Sequence, residues 1–138
     1  MSSAFLETRQ EAFVERFEVI PDPQERLAAI VARKPKLAPL PPEAKTEANL
    51  VPGCSSRVWL TGFVAENACH FQTESESPLV RGLVGLLCEL YEGAPPAEVV
   101  SFEPKIFDRL EITKNLSPTR LNGLTSVQNV IRQLAREA

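Results

Sequence analysis

The sequence has few of the residues that staple small proteins together or hold metals. Its 138 residues include three cysteines, one histidine and six glycines. The cysteines are odd in number, far apart and without the C-x-x-C spacing of zinc or cluster sites. A chain of this length can bury about two thirds of its unfolded surface without such staples. We therefore predict a single domain over residues 1–138, with no cofactor and no metal, in the reducing cytoplasm.

Long apolar runs and basic clusters are also missing. The longest uncharged apolar run, residues 82–88, is far shorter than the ~20 residues of a membrane helix. Charges precede any apolar stretch at the N-terminus, so we expect no signal peptide. The net charge is −3, and no segment forms the basic arm that phosphate neutralisation requires. Neither nucleic acid nor a membrane is an expected partner.

What the chain does have is proline, with seven of its twelve prolines between positions 21 and 52. Residues 34–42 cannot be helix interior, because proline lacks an amide donor and clashes with the preceding turn. They predict an extended connector. Apolar residues at helical spacing before it indicate a first helix, and Asp22-Pro23 has the cap-plus-proline pattern that begins a second one.

After the connector, the pattern changes to that of strands. Residues 57–65 and 68–73 are rich in β-branched and aromatic side chains, and the Glu66-Asn67 pair between them predicts a hairpin. We expect residues 49–51 to add a short third strand. Ser77-Pro78 and Ser117-Pro118 then begin two longer amphipathic helices, with two short helical pieces between them. The predicted fold is α+β, a small antiparallel sheet packed with helices.

Cys54 is the first candidate for chemistry, because it lies on a loop between the connector and the first strand. Gly53 before it permits unusual backbone angles and close approach by another molecule. Arg57 brings positive charge nearby, and a neighbouring cation can lower a thiol pKa from about 8.5 towards the nucleophilic thiolate. The alternative is a small apolar filler or a chance surface thiol.

The other two cysteines and the histidine have simpler interpretations. Cys88 falls in an apolar helix and Cys69 alternates with Phe71 on a strand, so both are predicted core residues. His70 then points to the opposite, polar face, where it is predicted as a surface residue. A nucleophilic pair of Cys54 and His70 is the alternative, and it would need a contact that sequence alone does not show.

Arg120 follows the Ser117 helix cap by three positions. A cation there is disfavoured by roughly 0.3–1 kcal/mol, since the helix N-terminus is itself positive. An anion would offset this term, whether a carboxylate such as Glu111, a partner surface or the sulfur at Cys54. The alternative is a solvated arginine without a role.

Three segments together resemble one known family. They are residues 51–60 (VPGCSSRVWL), 75–83 (SESPLVRGL) and 116–124 (LSPTRLNGL). Their order and spacing are similar to those of the SufE family of sulfur-acceptor proteins, including its CsdE branch, and weaker similarity extends over nearly the whole chain. Thr119 stands where serine is frequent in the family, and Pro52 stiffens the approach to Cys54.

The resemblance implies a fold shared with IscU-type scaffolds and a role as a covalent carrier, not an enzyme. Cys54 would accept sulfur from the persulfide of a PLP-dependent cysteine desulfurase, stimulate that enzyme and pass the sulfur on for iron-sulfur cluster assembly. Arg120 and Arg57 are the candidates to support the sulfur. Two alternatives remain: an iron-sulfur scaffold, and a small cysteine-dependent enzyme acting through Cys54 and His70.

Overall fold

The computed structural model of the chain describes residues 4–137 and confirms the α+β class. Within that range, a two-stranded antiparallel sheet is packed with helices. Single turns of 3-10 helix occur at Pro42–Ala44, Glu47–Asn49 and Thr113–Asn115. The longer elements are α1 (Ala4–Glu18), α2 (Pro23–Ala32), β1 (Val58–Ala65), β2 (Ala68–Ser75), α3 (Pro78–Tyr91), α4 (Pro96–Ser101), α5 (Ile106–Arg109) and α6 (Pro118–Arg136).

The sheet is the predicted hairpin, closed by a two-residue turn. Glu66 and Asn67 have φ angles of 53° and 61°, the left-handed values that match the twist of a tight hairpin. The expected third strand is reduced to one antiparallel bridge between Leu50 and Trp59. A 3-10 turn ends at Asn49 and a second turn begins at Pro52, so no longer extended segment remains to pair.

The three predicted helix caps are confirmed. The side chains of Asp22, Ser77 and Ser117 accept hydrogen bonds from backbone amides in the first turns of α2, α3 and α6, and a proline follows each cap. These contacts satisfy amides that have no partner inside the helix. Among residues 4–137, no helix is both long and apolar enough to cross a membrane.

Helix α3 is the centre of the core. The remaining elements cover it so closely that a Cβ at Gly82 would lie 2.8 Å from the Cα of Val31 in α2. Cys69 and Cys88 are 1% and 0% exposed and belong to this core, as predicted. Because β2 and α2 both pack on α3, this helix fixes the position of the hairpin relative to the first third of the chain.

A buried carboxylate ties the proline-rich connector to α3. Glu89 accepts hydrogen bonds from the Nη2 of Arg33 at 2.9 Å and from the backbone amide of Lys36 at 3.0 Å. Burial disfavours its charged form, but these hydrogen bonds outweigh that effect and hold the pKa of Glu89 below its usual value. The ring of Pro35 lies directly over Gly85, where no side chain would fit. The connector therefore has one defined path along α3 to the Cys54 loop.

Candidate functional site

The loop that carries Cys54 begins with a turn that only glycine adopts readily. Gly53 has a φ of 81°, in the left-handed region that side chains disfavour. A Cβ at this position would also lie 3.0 Å from the Oγ of Ser126 on α6. The turn thus brings the loop backbone against α6 and directs the next residue, Cys54, towards that helix.

Cys54 is half-buried against α6. Its Sγ donates a hydrogen bond to the carbonyl oxygen of Gly123 at 3.7 Å. A small cavity adjoins the thiol and offers about 20 Å³ to the centre of a water-sized sphere. Its lining includes three apolar side chains, those of Val80, Leu83 and Leu124. The apolar surface that shelters the thiol is therefore made by α3 and α6.

The surroundings of Cys54 do not lower its pKa in the way the sequence led us to expect. Burial raises the pKa of the Cys54 thiol. The hydrogen bond to Gly123 uses the thiol proton and acts in the same direction, because it exists only in the neutral form. In this conformation Cys54 is a sheltered thiol, and it becomes a ready nucleophile only when it leaves the cavity.

Arg57 has a different partner from the one expected. Its Nε lies 3.0 Å from a carboxylate oxygen of Glu76, and its guanidinium stacks over the ring of Trp59 at 5.2 Å. Arg57 is exposed and does not line the cavity beside Cys54. Its contact with Glu76 instead joins the end of the Cys54 loop to the segment that leads into α3.

Arg120 does line the cavity. Its Nη1 is buried and finds no hydrogen-bond acceptor among residues 4–137. Glu111, one of the carboxylates considered as its counter-charge, lies 4.0 Å from the Nη1 of Arg26 instead. A buried donor without an acceptor is unfavourable, so this end of the cavity is suited to an anionic or hydrogen-bond-accepting group.

The structure places His70 away from Cys54. The Nδ1 of His70 lies 2.5 Å from a carboxylate oxygen of Glu92, and its ring stacks against Phe63 at 5.1 Å. This pair borders a different hollow from the one that contains Cys54. Nor does the described part of the chain bring three or more metal-ligating side chains together. The Cys54–His70 pair therefore does not form in this conformation.

Two residues of the site were given no role by the sequence reasoning. Gly123 and Ser126 both lie on α6 and contact the loop at Cys54 and Gly53. A glycine inside a helix was the available signal for the first, because glycine destabilises helices and often marks close approach of another group. No local pattern distinguishes Ser126 from other helix serines.

The three segments on which the resemblance rests converge in space. The first contains Cys54, the second forms the start of α3 with Val80 and Leu83, and the third forms the start of α6 with Arg120 and Gly123. They are far apart in sequence, yet each contributes to the same cavity. A comparison with family models agrees, since residues 11–135 match the model described as "SufE: Fe-S metabolism associated domain".

The chain belongs to the SufE family. Similar proteins include the cysteine desulfuration protein SufE of Wigglesworthia glossinidia brevipalpis, 31% identical over 127 residues that cover 90% of this chain and 88% of that one. The sulfur acceptor protein CsdE of Escherichia coli is 40% identical over 98 residues, covering 70% of this chain and 67% of CsdE. The SufE assignment therefore applies to the chain as a whole and not to one motif.

A solved structure supports the fold of this SufE-family chain. The solution structure of a hypothetical protein from Thermus thermophilus superposes with a TM-score of 0.74, covering 94% of this chain and 95% of that one. The two sequences are 24% identical, so the likeness concerns the fold alone.

Proposed function

We propose that this SufE-family protein is a sulfur carrier, not an enzyme, with Cys54 as its acceptor. The donor is the persulfide of a PLP-dependent cysteine desulfurase, and the sulfur is passed on for iron-sulfur cluster assembly. The observation that carries the proposal is the thiol of Cys54 at a cavity built from three separate segments. The family assignment and the relatives that bear the names SufE and CsdE support the same role.

The transfer is a thiol–persulfide exchange. The Cys54 thiolate attacks the outer sulfur of the donor persulfide, the donor S–S bond breaks and a new bond forms between that sulfur and the Cys54 Sγ. The donor cysteine leaves as a thiolate and takes up a proton equivalent to the one that Cys54 lost. A thiol and a persulfide thus exchange one sulfane sulfur without net oxidation or reduction.

The resting geometry favours a two-position mechanism. In the cavity, burial raises the pKa of Cys54 and one weak S–H hydrogen bond holds it. On docking, the loop swings outward and presents the thiol to the donor persulfide. After transfer, the loop returns and the outer sulfur meets the Nη1 of Arg120, which lacks another acceptor in the described chain. Arg57 acts at a distance in this scheme, by holding the loop end through Glu76.

Stimulation of the desulfurase follows from the same chemistry. Removal of the enzyme's persulfide regenerates its nucleophilic cysteine for the next substrate molecule. The partners in this proposal are the desulfurase and a downstream iron-sulfur assembly scaffold or other sulfur acceptor, and the proposed location is the cytoplasm.

The two alternatives have less support from the described residues. A scaffold needs several cysteines or histidines around one metal, but Cys69 and Cys88 lie in the core at 1% and 0% exposure. A cysteine-dependent enzyme needs a base at Cys54, but His70 contacts Glu92 and Phe63. The residues around Cys54 fit exchange with another protein's sulfur better than either alternative.

The proposal can be tested by measuring alanine release from cysteine by a PLP-dependent cysteine desulfurase. Wild-type protein should increase the turnover, whereas Cys54→Ala should give the rate of the enzyme alone. His70→Ala is the matched control and should stimulate like the wild type. If Cys54→Ala stimulates fully, or if His70→Ala is the variant that fails, the carrier role is wrong.

A further inference from the structure

The cavity beside Cys54 is unusually small for a binding site. It offers about 20 Å³ to the centre of a water-sized sphere, whereas one water molecule needs roughly 10–15 Å³ on the same measure. A substrate or cofactor of several atoms does not fit. The space corresponds to about one additional atom of the size of oxygen or sulfur next to the Cys54 Sγ.

One wall of this space is open because residue 123 has no side chain. A Cβ at Gly123 would lie 3.6 Å from the Cys54 Sγ, which is ordinary van der Waals contact. The backbone of Gly123 is helical and not in the left-handed region, where Gly53 and Gly93 are found. Its glycine is therefore required neither by backbone conformation nor by helix stability, which favours alanine. What glycine provides at this position is room in front of the sulfur.

The remaining walls match the chemistry of a persulfide. Val80, Leu83 and Leu124 exclude water from a group that is readily lost to solvent thiols, and the Nη1 of Arg120 faces a place without another acceptor in the described chain. The outer sulfur of a persulfide is polarisable and carries negative charge when ionised. It can contact apolar side chains and a guanidinium together.

We propose that this cavity stores the outer sulfur of the Cys54 persulfide and that Gly123 limits the load to one sulfane sulfur. The inference rests on the proposed function and adds a capacity to it. A second exchange would join the persulfide to another sulfur from a donor persulfide, giving Cys54–S–S–SH and the donor thiol. The extra atom has no space in the cavity, so the loop would stay outside and the chain of sulfurs would be exposed.

The test is to load the protein from a desulfurase and cysteine, remove the enzyme and small molecules, and follow the sulfur on Cys54 by intact mass. Wild type should carry one added sulfur. Gly123→Ala should accept sulfur but lose it to dithiothreitol at least about fourfold faster, the factor given by losing the burial of one methylene-sized group. Asn122→Ala, an exposed change on the same helix, is the matched control and should behave like the wild type.

The outcomes separate this inference from the proposed function. If Cys54 of the wild type takes up no sulfur, the carrier role itself fails. If the wild type stably holds two or more sulfur atoms, or if Gly123→Ala retains its sulfur as long as the wild type, only the storage inference is wrong. A Gly123→Ala variant with native circular dichroism that accepts no sulfur at all would also overturn it, because residue 123 would then act in docking.

Discussion

The thiol of Cys54 donates a hydrogen bond to the backbone carbonyl of Gly123, a residue 69 positions later in the chain, at an Sγ–O distance of 3.7 Å. The contact joins the loop before β1 to the first half of α6. It involves the thiol proton, so ionisation of Cys54 removes it. The resting position of the sulfur is therefore coupled to its protonation, and leaving the cavity and becoming a nucleophile are parts of one event.

Replacement of Gly53 by alanine should loosen this arrangement. The substitution forces a side chain into a backbone with a φ of 81° and into contact with Ser126, and we expect a loss of about 1 kcal/mol in the free energy of unfolding. Cys54 should also react faster with iodoacetamide. Urea unfolding and alkylation rates measure the two effects, with Ser55→Ala as an exposed control. Unchanged alkylation in Gly53→Ala would show that the turn does not position the thiol.

Alkylation of Cys54 should depend on pH and on the desulfurase together. Burial raises the pKa of the thiol in the free protein, so the rate with iodoacetamide should reach half its maximum above the ~8.5 of a free cysteine. The desulfurase, with its own nucleophilic cysteine replaced, should move this midpoint down and increase the rate at neutral pH. Equal rates and midpoints with and without the partner would contradict outward movement of the loop.

Glu89→Gln should destabilise the fold in a pH-dependent way. The folded-state pKa of Glu89 is lowered, so its contribution is present above the unfolded pKa of about 4.3 and is lost as pH falls through the folded value. At pH 7 we expect a loss of roughly 1.5–3 kcal/mol, the range for hydrogen bonds to charged groups. Urea unfolding should show the difference shrinking in acid.

The exposed residue Glu43 provides the control for that measurement, since Glu43→Gln removes a charge from the connector without a buried contact. It should leave the stability nearly unchanged at both pH values. A loss in Glu89→Gln that is the same at neutral and acidic pH would show that packing, and not the charge of the carboxylate, holds the connector.

The two arginines should differ in their effect on sulfur transfer. Arg120→Ala removes a guanidinium from the cavity, and we expect a single-turnover transfer rate lower by about tenfold, equivalent to roughly 1.4 kcal/mol and near the lower limit for a charged hydrogen bond. Arg57→Ala breaks an exposed ion pair with Glu76 and should change the rate less than about threefold, as surface pairs contribute little. A larger effect at Arg57 than at Arg120 would reverse these assignments.

The features that the sequence predicted are those written in local chemistry. Asp22, Ser77 and Ser117 each combine a capping oxygen with a following proline, and this pair of constraints acts within a few residues. The Glu66-Asn67 turn is equally local. Cys69 and Cys88 were assigned to the core because their immediate neighbours are apolar, which the structure confirms.

What the sequence could not provide depends on contacts between distant segments. Arg57 was expected to act on Cys54 three residues away, but its partner is Glu76 across the hairpin. The pKa of Cys54 follows from burial under α3 and α6, and no residue next to it in sequence indicates that burial. Gly123 was visible in the third family segment, yet its place in front of the sulfur required the tertiary structure.

The central claim is that Cys54 is the residue that accepts sulfur from a desulfurase. Intact mass spectrometry after incubation with desulfurase and cysteine tests it most directly, using wild type, Cys54→Ala and, as a matched thiol control, Cys69→Ala. We predict a reductant-sensitive adduct of one sulfur on the wild type and on Cys69→Ala, and none on Cys54→Ala. The same adduct on Cys54→Ala, or its absence from the wild type beside an active desulfurase, would contradict the account.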